Sequence, residues 1–258
     1  MPFTLAHPAA ILPLRGTRFL RTAPLIIGAV TPDLPYFVPF NLGRFMPDTH
    51  DFDGSYTSCL LIGYAMLAAI FVLRRPLTAL LSPRAHWLCL HALAPYRHGA
   101  KEWLFAAFAI VVGVWSHLLW DSFTHLDGWV VHRVAALSAP VTIAGHTGPV
   151  CAVLQYLSSV FGLLVMALWY ARLRTPPVVP HDPAAPRSAV RPILLLIATA
   201  GLLIGGVQSA EYYHHYHTVY RTLSILLTHS LAWFAALYLV AGLIVTLERH
   251  GEGAAEAR

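Results

Sequence analysis

Polar and apolar positions alternate in long blocks along this chain. Residues 3–14 are apolar but short. At about 1.5 Å rise per residue they cannot cross a hydrocarbon core about 30 Å thick. After Arg15, Arg18 and Arg21 comes APLIIGAVTPDLPYFVPF, residues 23–40. Pro32 and Pro35 interrupt it, and the residue before a proline is pushed out of the helical region, so a helix should end near Thr31. Residues 3–31 therefore read as a short helical hairpin, re-entrant or barely spanning. Its outer ends would bring His7 close to Asp33. A polar, acid-rich loop follows at 40–58. Apolar blocks long enough to span occupy 59–73, 103–120, 149–170, 192–210 and 222–247. Residues 76–100 mix Leu, Pro, Trp and His and look interfacial. A loop with Gly145, His146 and Gly148 precedes the third span. PPVVPHDPAAP, residues 176–186, is a proline-rich linker, and about 249–258 a disordered polar tail. The fold class predicted is all-α: one integral membrane domain over 1–258, a polytopic helical bundle of about five spans plus the N-terminal hairpin.

Composition agrees. Of 258 residues 57% are hydrophobic and 11% charged, against about 25% charged in an ordinary soluble domain. Mean hydropathy is +0.61. A soluble fold would lack the polar surface to cover itself. The net charge of +5 comes from scattered basic residues that flank oily segments, which is a topology signal rather than a nucleic-acid footprint. Cys59, Cys89 and Cys151 form no CxxC pair and no disulfide framework. The opening MPFTLAHPAAILPLRG lacks the basic start and small-residue cleavage site of a signal peptide, so insertion is expected to rest on the membrane segments. No internal repeat supports an inverted-repeat transporter.

The positive-inside rule orients the five spans. Arg74, Arg75, Arg84, Arg97 and Lys101 fall between the first two. Arg172, Arg174, Arg187 and Arg191 fall between the third and fourth, and Arg249 follows the fifth. That side should be cytoplasmic, with the C-terminus. Arg44, Arg133 and Arg221 lie on the other side without reversing the bias. The loops at 40–58 and 121–148 and the EYYHHYH cluster, 211–217, then fall outside.

The candidate chemistry lies in WSHLLWDSFTHLDGW, residues 115–129. His117, Asp121 and His125 are four residues apart, on one helix face that drifts by about 40° per step. Ionisable groups at membrane depth are costly unless paired, wetted or metal-bound. Imidazole nitrogen and carboxylate oxygen are the mixed ligands of a zinc-type site. One helix usually supplies two ligands, so others should come from His7, from Asp33 in its proline-bounded turn, and from His50 in DTHDFD. Asp121 and His125 stay open between ligand, general base and a partner that orients a ligand. One ion or two would suit so many donors. Glu211, His214, His215 and His217 read as an interfacial aromatic belt. His229 reads as a buried hydrogen bond, and Gln155, Ser158 and Ser159 as interhelical glue.

MPFTLAHPAAILPL, IIGAVTPDLPYF, SHLLWDSFTHLDGW and LQYLSSVFG together resemble the bacterial membrane family catalogued as domain of unknown function 4184, from residue 1 to at least 170. More distantly, His7, Pro32-Asp33, Ser116, His117 and Asp121 are similar to inner-membrane proteins described as metal-dependent hydrolases. The Gly-His-Arg…Thr-His stretch of that group is not intact here; only Asp48-Thr49-His50 and Asp51 stand in its region. The resemblance implies a bacterial cytoplasmic-membrane protein. The function expected is a membrane hydrolase with a divalent ion, zinc by its donor set, held by His7, Asp33, His50, His117 and Asp121. Asp121 and His125 would do the catalytic proton work. Its partners would be the bilayer and a lipid-like ester or phosphoester substrate. The alternatives are an ion-coupled transporter, which would line a path at the midplane, and a non-catalytic scaffold whose His and Asp residues only satisfy one another.

Overall fold

A computed structural model describes residues 4–17, 19–37, 48–97, 99–143, 145–174, 187–217 and 219–256. Part of the 40–58 loop (40–47), the linker at 176–186, Arg18 and Arg44 lie outside the described residues. In chain order the helices are α1 Thr22–Val30, α2 Ser58–Val72, α3 Arg74–Thr78, α4 Pro83–Leu93, α5 Ala100–Thr124, α6 Ala135–Ser138, α7 Val150–Arg172, α8 Arg187–Tyr216 and α9 Val219–Glu256. Two short strands, β1 Pro140–Ile143 and β2 His146–Pro149, form an antiparallel hairpin ahead of α7.

Five stretches are long and apolar enough to cross a membrane: Asp53–Val72, Ala100–Thr124, Val150–Arg172, Ala189–Tyr216 and Thr222–Glu248. The chain is therefore read as an all-α, multi-pass membrane protein. These are the five expected spans, several of them longer than the apolar blocks alone. α8 runs on through the EYYHHYH cluster to Tyr216, and α9 continues as helix to Glu256, over most of the stretch expected to be a disordered tail. The N-terminal hairpin takes a different local form. Thr4–Ala9 and Leu12–Leu14 are tight 3-10 turns. Pro8 and Pro13 remove donors that an α-helix would need there. α1 ends at Val30 and passes into a 3-10 turn, Thr31–Phe37, that holds Pro32 and Pro35.

Contacts divide the chain into two compact units. The first is Met1–Leu34, Leu42–Leu67 and Tyr96–Arg174. Its centre is the parallel pair α1 and α5. Arg21 at the start of α1 pairs with Glu102 at the start of α5, at 2.5 Å. About two turns further on, the backbones touch. A Cβ on Gly28 would strike the Ile110 carbonyl, and one on Gly113 the Leu25 carbonyl. Ile11, Leu12, Leu25, Ala29 and Ala109 form the core beside this contact. Cys59, Ile110 and Val114 form a second cluster toward α2. α7 lies on the first 3-10 turn, with Gly162 against Ala6.

The second unit is Pro35–Asn41, Ala68–Pro95 and Thr175–Arg258. α8 and α9 pack closely where Gly201 and Gly205 meet Ser230 and Phe234, the small-residue spacing that lets membrane helices approach. α3 rests on α9, with Gly242 against Pro76 and the Tyr238 hydroxyl donating to the Leu77 carbonyl at 3.0 Å.

Candidate metal centre

α5 carries one buried stripe: Ala106, Ala109, Ile110, Gly113, Val114, His117 and Thr124. These recur every three or four residues, so they share a face. The stripe begins as plain packing and ends in chemistry. The packing that buries Ile110 and Val114 carries His117 to 0% exposure.

Other segments of the first unit bring their groups to that end of α5. The 3-10 turn after α1 places Asp33 so that its Oδ1 is 3.7 Å from His117 Nε2. Asp121 Oδ2 is 3.2 Å from the same nitrogen. His50 Nε2 is 3.4 Å from Asp33 Oδ1. His7 Nε2 is 3.6 Å from Asp121 Oδ1, and its ring stacks on His117 with centroids 3.8 Å apart. Two trios, His7–Asp33–His117 and His50–His117–Asp121, each bring one donor atom per residue within 4.8 Å of the others. The five residues named as ligands from the sequence are thus neighbours, and these buried His and Asp groups could hold a metal ion.

Hydrogen bonds orient three of them, and a further one holds His125. His117 Nδ1 lies 2.8 Å from the Ala29 carbonyl, which can only accept, so Nδ1 carries a proton and Nε2 turns to the carboxylates. The Thr4 hydroxyl donates to Asp33 Oδ2 at 2.6 Å and leaves Oδ1 facing His117. The Thr49 hydroxyl donates to the Pro32 carbonyl at 2.8 Å, so its oxygen accepts from His50 Nδ1 at 3.3 Å and His50 Nε2 turns to Asp33. The Gln155 amide nitrogen of α7 stands 2.7 Å from His125 Nε2. That puts the His125 proton on Nδ1, 3.4 Å from Asp121 Oδ1 and 3.2 Å from Thr124 Oγ1. His125 caps the end of α5 and touches no group of the centre but Asp121 among the ion pairs described.

Among the described residues, three buried atoms here have no hydrogen-bond partner: His117 Nε2, Asp121 Oδ1 and His7 Nδ1. The 3.2 Å approach of His117 Nε2 to Asp121 lacks the alignment of a hydrogen bond. A nitrogen lone pair facing two carboxylates is repulsive, and a cation among them reverses the sign. Burial lowers the His7 imidazole to about 4, with His117 adding to the effect and the two carboxylates opposing it. Burial alone would raise the Asp33 carboxyl. Its neighbours His50, His117 and the Thr4 hydroxyl outweigh it and hold the group at about 2. Asp33 is therefore an anion, as a ligand must be.

The centre is closed on one side and open on the other. His7, Asp33 and His117 have side chains 8%, 5% and 0% exposed; Asp121, His50 and His125 have 15%, 29% and 30%. Beside His50, exposed Phe52 and Tyr56 form an aromatic cluster with Trp115, whose indole donates to Ser55.

Sequence reading missed Thr4, Thr49 and the Ala29 carbonyl, and read Gln155 only as interhelical glue without naming His125 as its partner. A threonine one turn before an expected ligand is the one usable signal, at Thr4. The EYYHHYH cluster belongs to the second unit, on α8. No curated protein and no solved structure matches the chain. The four motif stretches quoted above all fall inside residues 1–247, which match the family described as domain of unknown function, DUF4184, and the chain belongs to that family.

Proposed function

We propose that this protein is a metal-dependent hydrolase of a bacterial cytoplasmic membrane, acting on a lipid-like ester or phosphoester at the extracytoplasmic face. The observation that carries the reading is His117 Nε2: wholly buried, without a hydrogen-bond partner among the described residues, and aimed at two carboxylate oxygens. His50, His117, Asp33 and Asp121 offer two imidazoles and two carboxylates, the donor set of zinc. His7 stands beside them. Such an ion polarises an ester or phosphoryl oxygen and acidifies a bound water. His125, tied between Gln155 and Asp121, fixes the orientation of that carboxylate, as outer groups do for metal ligands. The exposed edges of His50, His125 and Asp121 form the approach. Phe52, two residues from His50, is exposed and apolar, which suits a substrate with hydrocarbon chains.

The sidedness rests on charge. In the first unit Arg15 lies over Trp169 near the end of α7, and Arg21 pairs with Glu102. Lys101, Arg172 and Arg174 occupy the same ends of α5 and α7, opposite the metal centre. By the positive-inside rule that end is cytoplasmic.

Metal analysis of the detergent-purified protein tests the reading. About one equivalent of zinc is expected in the wild type and a small fraction of that in His117→Ala. Negligible metal in a folded wild-type preparation ends the proposal, and equal metal in both removes His117 from the site.

A further inference from the structure

Proximity alone groups His7 with Asp33 and His117 as one trio of donors. Ring orientation divides that trio. An ion lies close to the plane of each imidazole that binds it, about 2.1 Å beyond the nitrogen for zinc. The His7 and His117 rings stack with centroids 3.8 Å apart and planes tilted by 21°. Planes so nearly parallel meet on the order of 10 Å away, far beyond the reach of a bond of about 2.1 Å. One ion cannot lie in both. His117 has its Nδ1 tied to Ala29 and only Nε2 to offer, and that atom faces both carboxylates. His7 has no such steering: its Nδ1 is buried with no hydrogen-bond partner among the described residues, and its Nε2 stands 3.6 Å from Asp121 Oδ1.

We propose that His7 lies outside the coordination shell and serves as the hydrogen-bonding partner of the oxygen that occupies the ion's open position. The ligands are then His50, His117, Asp33 and Asp121, and a single ion is bound, because each trio draws on the same His117 nitrogen. His7 contributes a flat ring that backs His117 and a polar edge turned toward the reacting atoms. This rests on the metal reading above.

The test uses full-length protein in detergent, loaded with Zn²⁺ or Co²⁺, and the variants His7→Phe, His7→Gln and His117→Phe. X-ray absorption of the zinc-loaded wild type should show two imidazoles, not three. His7→Phe, which keeps a ring but no nitrogen, should hold one equivalent of zinc with affinity within about threefold of wild type, while His117→Phe loses it. Acetohydroxamate, a small oxygen-donor probe of open metal positions, is then titrated into the Co²⁺-loaded proteins and followed by the visible spectrum. His7→Phe should bind it at least about tenfold more weakly, and His7→Gln should recover part of that loss. Three imidazoles in the wild type, loss of metal in both His7 variants, or unchanged acetohydroxamate affinity in His7→Phe overturns the inference. If wild type binds metal and only these outcomes fail, the metal centre stands and the role of His7 falls. If wild type binds none, both fall.

Discussion

Two histidines inside predicted spans, His117 and His229, meet opposite surroundings. His229 of α9 sits with its Nδ1 2.9 Å from the Gln208 amide oxygen of α8, which also accepts from the Trp233 indole at 3.3 Å. A neutral amide satisfies a neutral ring, and nothing further is required. His117 has one neutral partner, the Ala29 carbonyl, and then two carboxylates at its other nitrogen. One carboxylate beside a histidine can be an ion pair. Two, with one orphaned buried oxygen and an orphaned nitrogen among the described residues, could hold a cation. A polar residue at membrane depth is thus not a site by itself; the number of uncompensated charges around it decides.

The largest effect breaks the comparison outright. His117→Ala should lose bound zinc by a factor of at least about 100, while His229→Ala keeps wild-type metal content; equal losses would erase the distinction. Asp33→Asn follows, with a drop of about 100-fold in zinc affinity, because its Oδ1 faces both His50 and His117. Gln208→Glu places one carboxylate beside His229 and should still recruit no metal; an added equivalent would show that a lone carboxylate suffices. Thr4→Val should cost about tenfold in affinity, the usual scale for a residue that orients a ligand, and Thr4→Ser should restore it. Gln155→Ala, one step further out through His125, should cost a few-fold at most.

The smallest effect is in pH. In metal-free protein His7 ionises at about 4 against 6.5 ordinarily. The unfolded chain therefore takes up the proton first as pH falls. Stability from this group is whole above about pH 6.5 and declines as pH drops toward 4. Thermal unfolding in detergent should follow that slope by a few degrees, and His7→Phe should flatten it.

The helices were legible because hydropathy over 20 residues and more is a property of the chain alone. So was the α5 stripe, since Ile110, Val114, His117 and Asp121 recur every three or four residues through a change of chemistry. Asp33 was readable from the prolines that bracket it, and His50 from its place among acids. The partners of these ligands were not readable. That Thr4 reaches Asp33, that the Ala29 carbonyl meets His117 and that Thr49 steers His50 depend on where segments settle. So does the stack of His7 on His117, since ring planes leave no trace in spacing. The β1–β2 hairpin was read only as a Gly-containing loop. Gly145 sits between the strands at φ 81°, the left-handed backbone that glycine permits in a tight turn.

The proposed ligands come from three places in the chain: the segment after α1, the stretch before α2 and the far end of α5. During synthesis the early ones emerge long before the helix that joins them, and none can grip an ion alone. On the proposed metal reading, cofactor acquisition would be a late event in biogenesis, one that reports on whether the stretch before α2 and α5 have found each other in the bilayer. A stalled insertion intermediate would leave the translocon empty-handed, with its acids and imidazoles still in search of a partner.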